Sequence, residues 1–232
     1  MTLHSAAGWT IEQGAPVGPQ LYRILRERII RNDLKPGSRI SESELASVYS
    51  VSRQPVREAF IKLAEEALVD VRPQRGTYVR KISTAAVMDA RFVREAIEAD
   101  IVKLLAGARS DALVDDLRAQ IAEQREVAGT DPVRFMELDE RFHRTLAEAA
   151  GKAAAWSVVE SLKAQMDRVR YLSLPQATPI RRLIDQHTRI VDAVEARDAA
   201  TAEAAMRVHL GEILKSLPDL ERKFPDLFAH DA

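Results

Sequence analysis

The chain is 232 residues long, 46% hydrophobic and formally −1 at pH 7, with 34 Lys/Arg against 35 Asp/Glu and no cysteine. That length and composition allow one large globular domain or two smaller ones. The cysteine count excludes disulfides and thiolate metal sites. No apolar run reaches the length of a membrane span, and the N-terminus lacks the basic start and apolar stretch of a signal peptide, so a soluble cytoplasmic protein that engages no membrane is expected.

The charge is unevenly placed. Residues 19–82 carry 13 Lys/Arg and 8 Asp/Glu, whereas residues 83–232 carry 21 and 26. A basic part joined to an acidic part suggests a nucleic-acid-facing domain followed by a domain with another task. Residues 1–18 contain Gly8, Gly14, Pro16 and Gly18 with little periodicity and read as a mobile N-terminal tail. From about Pro19 to Arg31, Leu21, Ile24, Leu25 and Ile29 share one helical face. Lys35, Pro36 and Gly37 form a turn. A short second helix begins at Ser41, where Ser41 and Glu44 have capping-box spacing and Ile40 and Leu45 that of a hydrophobic staple.

The third helix carries the strongest signal in the first domain. It opens at Val51 to Ala59, with Ser52 placed to cap it and Pro55 in its first turn, where missing N–H partners cost nothing extra. Val56, Phe60, Leu63 and Ala64 form an apolar face. Arg53 and Arg57, four apart, share a different one. Such a helix buries one side and offers guanidinium groups to major-groove base edges. Arg53 and Arg57 are candidates for guanine or phosphate, and Gln54 for adenine. Glu58 either orients a neighbouring arginine or is a solvated charge. Two β-like runs follow, Val69 to Arg72 and Thr77 to Lys81, joined by Pro73, Gln74, Arg75 and Gly76. At that tip Arg75 and Gly76 suit contact with phosphate or a narrow minor groove; the alternative is an ordinary turn. Three helices and a hairpin make residues 19–82 a winged helix-turn-helix.

From Ser83 the pattern is helical. Breaks at 107–110, 129–132, 151–152, 174–179 and 197–198 divide residues 83–232 into about six helices, an antiparallel all-α bundle, with a less ordered tail after Pro218. The fold class is therefore mostly α, with a small β-hairpin wing.

Three histidines of this second domain lie on apolar stripes. His143 falls among Met136, Leu146 and Ala147; His187 among Leu183, Ile184, Ile190 and Val191; His209 among Ala202, Met206 and Ile213. Asp139 is four residues before His143 on the same stripe. A buried carboxylate is costly unless paired or coordinated. A divalent cation would resolve Asp139, His143, His187 and His209 together, and one carboxylate with three imidazoles suits zinc first, or nickel, manganese or iron. An octahedral ion would keep two positions for water or a small anion. The alternative is a core of hydrogen-bonded histidines, with Asp139 paired to His143. His4 and His230, near the termini, carry little information. Arg94 lies on the stripe Val87, Ala90, Ile97, Ile101 of the domain's first helix. It is either a clamp for a ligand carboxylate or the partner of Glu98, four residues on.

These residues together resemble the GntR family of bacterial transcription regulators, in its FadR-like branch with an FCD effector domain. The resemblance covers about residues 19–220. Val51 to Ala59, followed by Leu63, Leu68, Val69, Pro73, Arg75 and Gly76, is similar to the family's winged-helix signature. Arg94 with Ile97 and Glu98, Asp139 with Phe142 and His143, then His187, Asp198 and His209 match the order of the FCD pattern. Departures are Ala67 where the family often has glycine, no basic residue near Ser43, and Gly151 with Lys152 where an asparagine is common. The resemblance implies Asp139, His143, His187 and His209 as metal ligands. It also implies a homodimer on a palindromic operator and a small carboxylate effector held at or near the metal. The expected function is a ligand-responsive regulator and not an enzyme. The alternatives are a metal-dependent hydrolase-like enzyme, or a DNA-binding protein whose metal is purely structural.

Overall fold

The computed structural model describes residues 9–108, 110–174 and 179–229. They form two compact units: residues up to Ser83 together with those from Phe224 onward, and Thr84–Lys223.

The first unit contains α1 (Val17–Ile30), β1 (Arg39–Ile40), α2 (Glu42–Val48), α3 (Arg53–Glu65), β2 (Val69–Arg72) and β3 (Gly76–Val79). α1 starts two residues before Pro19. Residues 1–8 of the expected tail lie outside the described residues. Residues 9–16 are tied to α1: Gln20 Nε2 donates to the carbonyls of Glu12 and Ala15, both at 3.1 Å, and Arg31 lies over the Trp9 ring. Leu21, Leu25 and Ile29 of α1 pack into the core with Leu45, Val56, Phe60 and Leu63, all essentially buried.

The sheet has three strands in the order β1-β3-β2, both pairings antiparallel. Only the hairpin was legible in the sequence, because β1 is two residues long and too short for alternation to register. The tip is a turn with Pro73 and Gln74 at its centre. Arg75 N–H donates to the Arg72 carbonyl at 3.0 Å, and Gln74 has φ 60°. Proline before a residue of positive φ is the type II arrangement.

At the end of α3 the Leu68 N–H reaches the Leu63 carbonyl and the Ala67 N–H reaches that of Ala64. This is a Schellman motif with Ala67 left-handed at φ 54°. The turn that glycine usually makes is therefore kept, at a steric cost to the alanine of about 1 kcal/mol. Ala67→Gly is expected to be neutral to stabilising, by up to about 1 kcal/mol, in urea unfolding; a loss of stability would contradict the assignment of strain.

The second unit contains α4 (Thr84–Gly107), α5 (Asp111–Val127), α6 (Pro132–Ala149), α7 (Ala153–Leu162), α8 (Ala164–Ser173), α9 (Ile180–Glu195), α10 (Ala199–Leu210) and α11 (Ile213–Lys223). The expected breaks fall between helices, with residues 175–178 of the fourth lying outside the described residues. Two more occur that carry no glycine–proline signal strong enough to read: Lys163 separates α7 from α8, and Gly211–Glu212 separates α10 from α11. Three of these helix starts carry side-chain caps. Ser110, Asp131 and Asp198 accept the N–H groups of Leu113, Arg134 and Thr201. α4 packs against α6, α8, α9 and α10, and α5 against α6 and α9. Phe135, Phe142, Leu146, Trp156, Val191 and Met206 are central to the shared core.

The C-terminal end departs from the expected boundary. α11 continues through Pro218 to Lys223, and the residues beyond it return to the first unit. There Phe228 is buried and forms a parallel bridge with Ile82, closed by Ile82 N–H to Leu227 O and Ala229 N–H to Ile82 O, both 2.8 Å. Backbone pairing of this kind is long-range and leaves no local periodicity to read. Among the described residues no helix is long and apolar enough to cross a membrane.

Candidate metal centre and DNA-reading surface

In the second unit, Asp139 and His143 come from α6, His187 from α9 and His209 from α10. On α6 the positions Phe135, Leu138, Asp139, Phe142, His143 and Leu146 are all buried, one helical stripe that carries both polar groups inward. His187 sits between Leu183, Ile184, Ile190 and Val191, and His209 follows Ala202 and Met206. Phe142 stacks on the His187 ring with centroids 4.4 Å apart.

The four side chains converge. His143 Nε2 lies 3.0 Å and His187 Nε2 3.3 Å from His209 Nε2. Asp139 Oδ1 is 3.5 Å from His187 Nε2, and Oδ2 is 3.9 Å from His143 Nε2. One donor atom from each lies within 4.8 Å of all the others. Donors bound at ~2.1 Å to one ion stand ~3.0–3.4 Å apart; the two contacts to His209 have that spacing, and those of Asp139, at 3.5 and 3.9 Å, are somewhat longer.

The far side of each ring explains why hydrogen bonding alone does not account for this cluster. His187 Nδ1 is 2.8 Å from Gln124 Oε1, and His209 Nδ1 is 3.1 Å from Gln186 Oε1. His143 Nδ1 is 2.5 Å from Glu98 Oε2, an ion-pair contact without good hydrogen-bond alignment. An imidazole that donates from Nδ1 presents a lone pair at Nε2. With His187 and His209 in that form, two lone pairs and a carboxylate face one another inside the cluster, and His143 adds its Nε2 from the third side. Arg170 Nη2 lies 2.5 Å from Asp139 Oδ2, yet neither Asp139 oxygen has an aligned hydrogen-bond donor. Such a donor set fits a divalent metal held by Asp139, His143, His187 and His209, with Gln124, Gln186 and Glu98 orienting the rings from behind.

The electrostatics agree. Burial opposes the charge on Asp139, but Arg170 and the three imidazoles outweigh it and hold the carboxyl well below the usual range. Burial pushes His187 down to about 3, only partly countered by Asp139. Burial, with His187 and His143 nearby, lowers His209 well below its ordinary value. Both rings are therefore neutral at pH 7 in the metal-free fold. The unfolded chain binds their protons below about pH 6.5, whereas the folded one does not until much lower. Stability of the metal-free protein is expected to fall as pH drops from 6.5 towards 3, by up to about 1.4 kcal/mol per pH unit for each histidine. Urea midpoints measured in chelator between pH 7 and pH 5 test this; a flat profile would contradict it.

Arg94 is buried and ion-paired with Glu98, Nε to Oε1 at 2.6 Å, the intrahelical alternative of the sequence reading. Burial disfavours its charge, but Glu98 overrides that and raises it. Burial likewise opposes ionisation of Glu98, but Arg94 and His143 bring it down to about 2. Arg94 also lines a half-open cleft beside the cluster, together with Arg170, Ser173, His209, Glu212 and Met166. Glu98 as a ring partner, Gln124, Gln186 and Arg170 were not evident from the sequence. Gln124 had a legible signal: it follows Leu117 and Ile121 on the buried stripe of α5 and is fully buried itself.

In the first unit, Arg53, Gln54 and Arg57 are exposed at the start of α3, and Arg75 is exposed at the tip of the β2–β3 wing. Ser52 occupies the N-cap position but makes no side-chain cap bond. Glu58 accepts from Gln54 Nε2 at 3.1 Å. The carboxylate on Arg57 is instead Glu42 of α2, with Nε–Oε1 and Nη2–Oε2 both 3.1 Å. Glu42 is fifteen residues away, so helical spacing could not reveal it. Gly76 has φ 102°, and a Cβ there would lie 2.6 Å from Arg39 Nε, which places exposed Arg39 beside the wing tip. His4 and His230 lie outside the described residues.

A winged helix with an exposed arginine-bearing helix, in one chain with a bundle enclosing a carboxylate and three imidazoles, defines a DNA-binding regulator with a sensor domain. Residues 18–79 match the model for bacterial regulatory proteins of the gntR family, and residues 89–212 match the FCD domain. The chain is 41% identical over 217 residues to the HTH-type transcriptional repressor RspR of Escherichia coli K12, covering 93% of this chain and 95% of that one. It is 37% identical over 212 residues to an HTH-type transcriptional regulator from an unstable DNA locus of Streptomyces ambofaciens, covering 91% and 89%. Among solved structures, Escherichia coli McbR/YncC shares the fold with a TM-score of 0.73 at 16% identity, over 90% of this chain and 99% of that one. The chain belongs to the GntR family of bacterial transcription regulators, with an FCD effector domain, and is a ligand-responsive DNA-binding protein.

Proposed function

We propose that this chain is a homodimeric repressor whose operator affinity is set by a small carboxylate bound at a metal. The metal is zinc, held by Asp139, His143, His187 and His209. One observation carries the reading: three imidazole Nε2 atoms and a carboxylate converge in the buried core of the bundle, with a side-chain acceptor behind each ring. Bound zinc would supply a Lewis-acidic, positively charged anchor for a carboxylate. The cleft beside His209 gives that carboxylate access, and Arg94 and Arg170 on its wall add positive charge and hydrogen-bond donors. Both arginines already neutralise buried acids, so an incoming carboxylate competes with Glu98 or Asp139 for them.

At the DNA, Arg53, Gln54 and Arg57 enter the major groove, and Arg75 with Gly76 follows the backbone or minor groove. Two copies read a palindrome with half-sites one helical turn, ~34 Å, apart. An effector that binds one arrangement of the dimer better shifts operator affinity by its coupling energy, ~1–3 kcal/mol. Repression is the sign carried by the name of the Escherichia coli relative RspR. The protein works in the cytoplasm, where its operator is.

DNA selected from a random pool by the zinc-loaded protein tests the reading. The recovered sequences are expected to be palindromic, and a panel of small carboxylates is expected to contain members that change the Kd for them ~5–150-fold. Carboxylates that bind tightly while the Kd for DNA stays fixed would point to a structural metal. Turnover of a carboxylate or its ester at the metal would favour an enzyme.

A further inference from the structure

The three rings of the cluster are each backed by an acceptor, but the acceptors differ in kind. Glu98 is a carboxylate and can only accept. Gln124 and Gln186 are amides and could present either end. Gln124 is oriented by the Leu138 carbonyl, to which its Nε2 donates at 3.4 Å. Gln186 is oriented by something stronger. Its Nε2 donates to Glu212 Oε2 at 2.9 Å, across the loop that joins α10 to α11.

Glu212 is itself buried and held. Arg182 Nη1 donates to Oε1 at 2.9 Å, and Lys215 Nζ to Oε2 at 2.8 Å. A carboxylate so placed has no proton to give. Gln186 must then turn its NH2 towards Glu212 and its carbonyl towards His209. His209 must carry its proton on Nδ1, and its lone pair is left at Nε2, inside the cluster. Reversing the Gln186 amide would set two acceptors against each other at Glu212, and two donors against each other at His209 unless its proton moved to Nε2. Each buried mismatch of this kind costs about 1–3 kcal/mol.

We infer that Glu212 is a positioning residue for the metal centre, acting through Gln186 to fix the tautomer of His209. The inference rests on the metal reading above for its purpose but not for its hydrogen bonds, which the metal-free fold already contains. It also gives a role to an acid buried at the junction of α10 and α11. Glu212 lines the cleft as well, together with His209.

The test is a swap. Long-range proton–nitrogen correlation spectra of the metal-free full-length protein report which ring nitrogen of His209 is protonated, and competition with a chromophoric chelator gives the zinc Kd. In the wild type His209 is expected to be protonated on Nδ1. In Glu212→Gln either amide arrangement is possible, so a mixture of tautomers and a rise in zinc Kd of about 10-fold are expected. Adding Gln186→Glu to that variant exchanges acid and amide and preserves charge. The carboxylate now accepts from His209 directly, and both signals are expected to return. A His209 that stays on Nδ1 in Glu212→Gln, or a swapped pair that does not restore it, overturns the inference. If the tautomer shifts and returns as described while even the wild type fails to bind zinc, the relay stands and the metal reading falls.

Discussion

Asp139→Ala is expected to abolish tight zinc binding and to destabilise the helical unit at the same time. The ion loses its one anionic ligand. If an apparent binding free energy of about 12 kcal/mol is shared among four ligands, each supplies about 3 kcal/mol, a factor of ~150 in Kd. The stability loss has a separate origin. Arg170 Nη2 lies 2.5 Å from Asp139 Oδ2, and both side chains are largely buried. Removing the acid leaves a guanidinium facing three imidazoles, and breaking a buried pair from one side costs about 3–5 kcal/mol. The two effects separate in a double variant. Arg170→Met added to Asp139→Ala is expected to recover much of the stability and none of the zinc affinity. Urea unfolding and chelator competition read them independently. An Asp139→Ala protein that binds zinc as the wild type does would remove Asp139 from the ligand set.

Arg57→Ala is expected to abolish specific operator binding and leave the fold unchanged. A bidentate arginine–guanine contact discriminates by about 1–3 kcal/mol, and a dimer makes it twice, so the specific Kd is expected to rise ~30-fold or more. Arg57 and its partner Glu42 are substantially exposed, and an exposed pair contributes at most about 1 kcal/mol to stability. The loss is therefore at the DNA and not in the domain. Glu42 sharpens the expectation. In the free protein it holds the Arg57 guanidinium by two hydrogen bonds, which limits the rotamers of the arginine and places a negative charge near the DNA face. Arg57→Ala leaves that charge unpaired near phosphates, whereas Arg57→Ala with Glu42→Gln is expected to regain non-specific affinity only. Fluorescence anisotropy against the selected palindrome and a scrambled duplex distinguishes these outcomes. Equal affinity of wild type and Arg57→Ala for the palindrome would refute the role.

What the sequence disclosed follows from which forces act locally. Helical stripes are local, so the inward direction of Asp139, His143, His187 and His209 was legible from their apolar neighbours at three- and four-residue spacing. The two faces of α3 were legible for the same reason: buried Val56 and Phe60 leave Arg53 and Arg57 on the exposed side. The capped starts of α5, α6 and α10 were legible as breaks. Contacts made across the fold were not. β1 needs β3 to exist as a strand. Glu42 meets Arg57 only because α2 packs on α3, and Glu212, just past the end of α10, meets Gln186 only because α10 packs on α9. Phe228 returns to Ile82 over nearly the whole length of the second unit's sequence. Arg94 shows the boundary between the two cases. Its four-residue spacing from Glu98 correctly flagged an ion pair, but its place on the wall of a cleft depends on Met166 and Arg170 from α8.

X-ray absorption at the metal edge, on protein purified without added metal and with its metal content counted, bears most directly on the claim that a cation gathers these four side chains. One divalent ion per chain is expected, in a shell of nitrogen and oxygen donors at ~2.0–2.2 Å with the multiple-scattering signature of three imidazoles. His187→Ala is expected to reduce that signature to two. A chain that carries no stoichiometric metal even after incubation with zinc, or an ion whose shell lacks imidazole, would contradict the account.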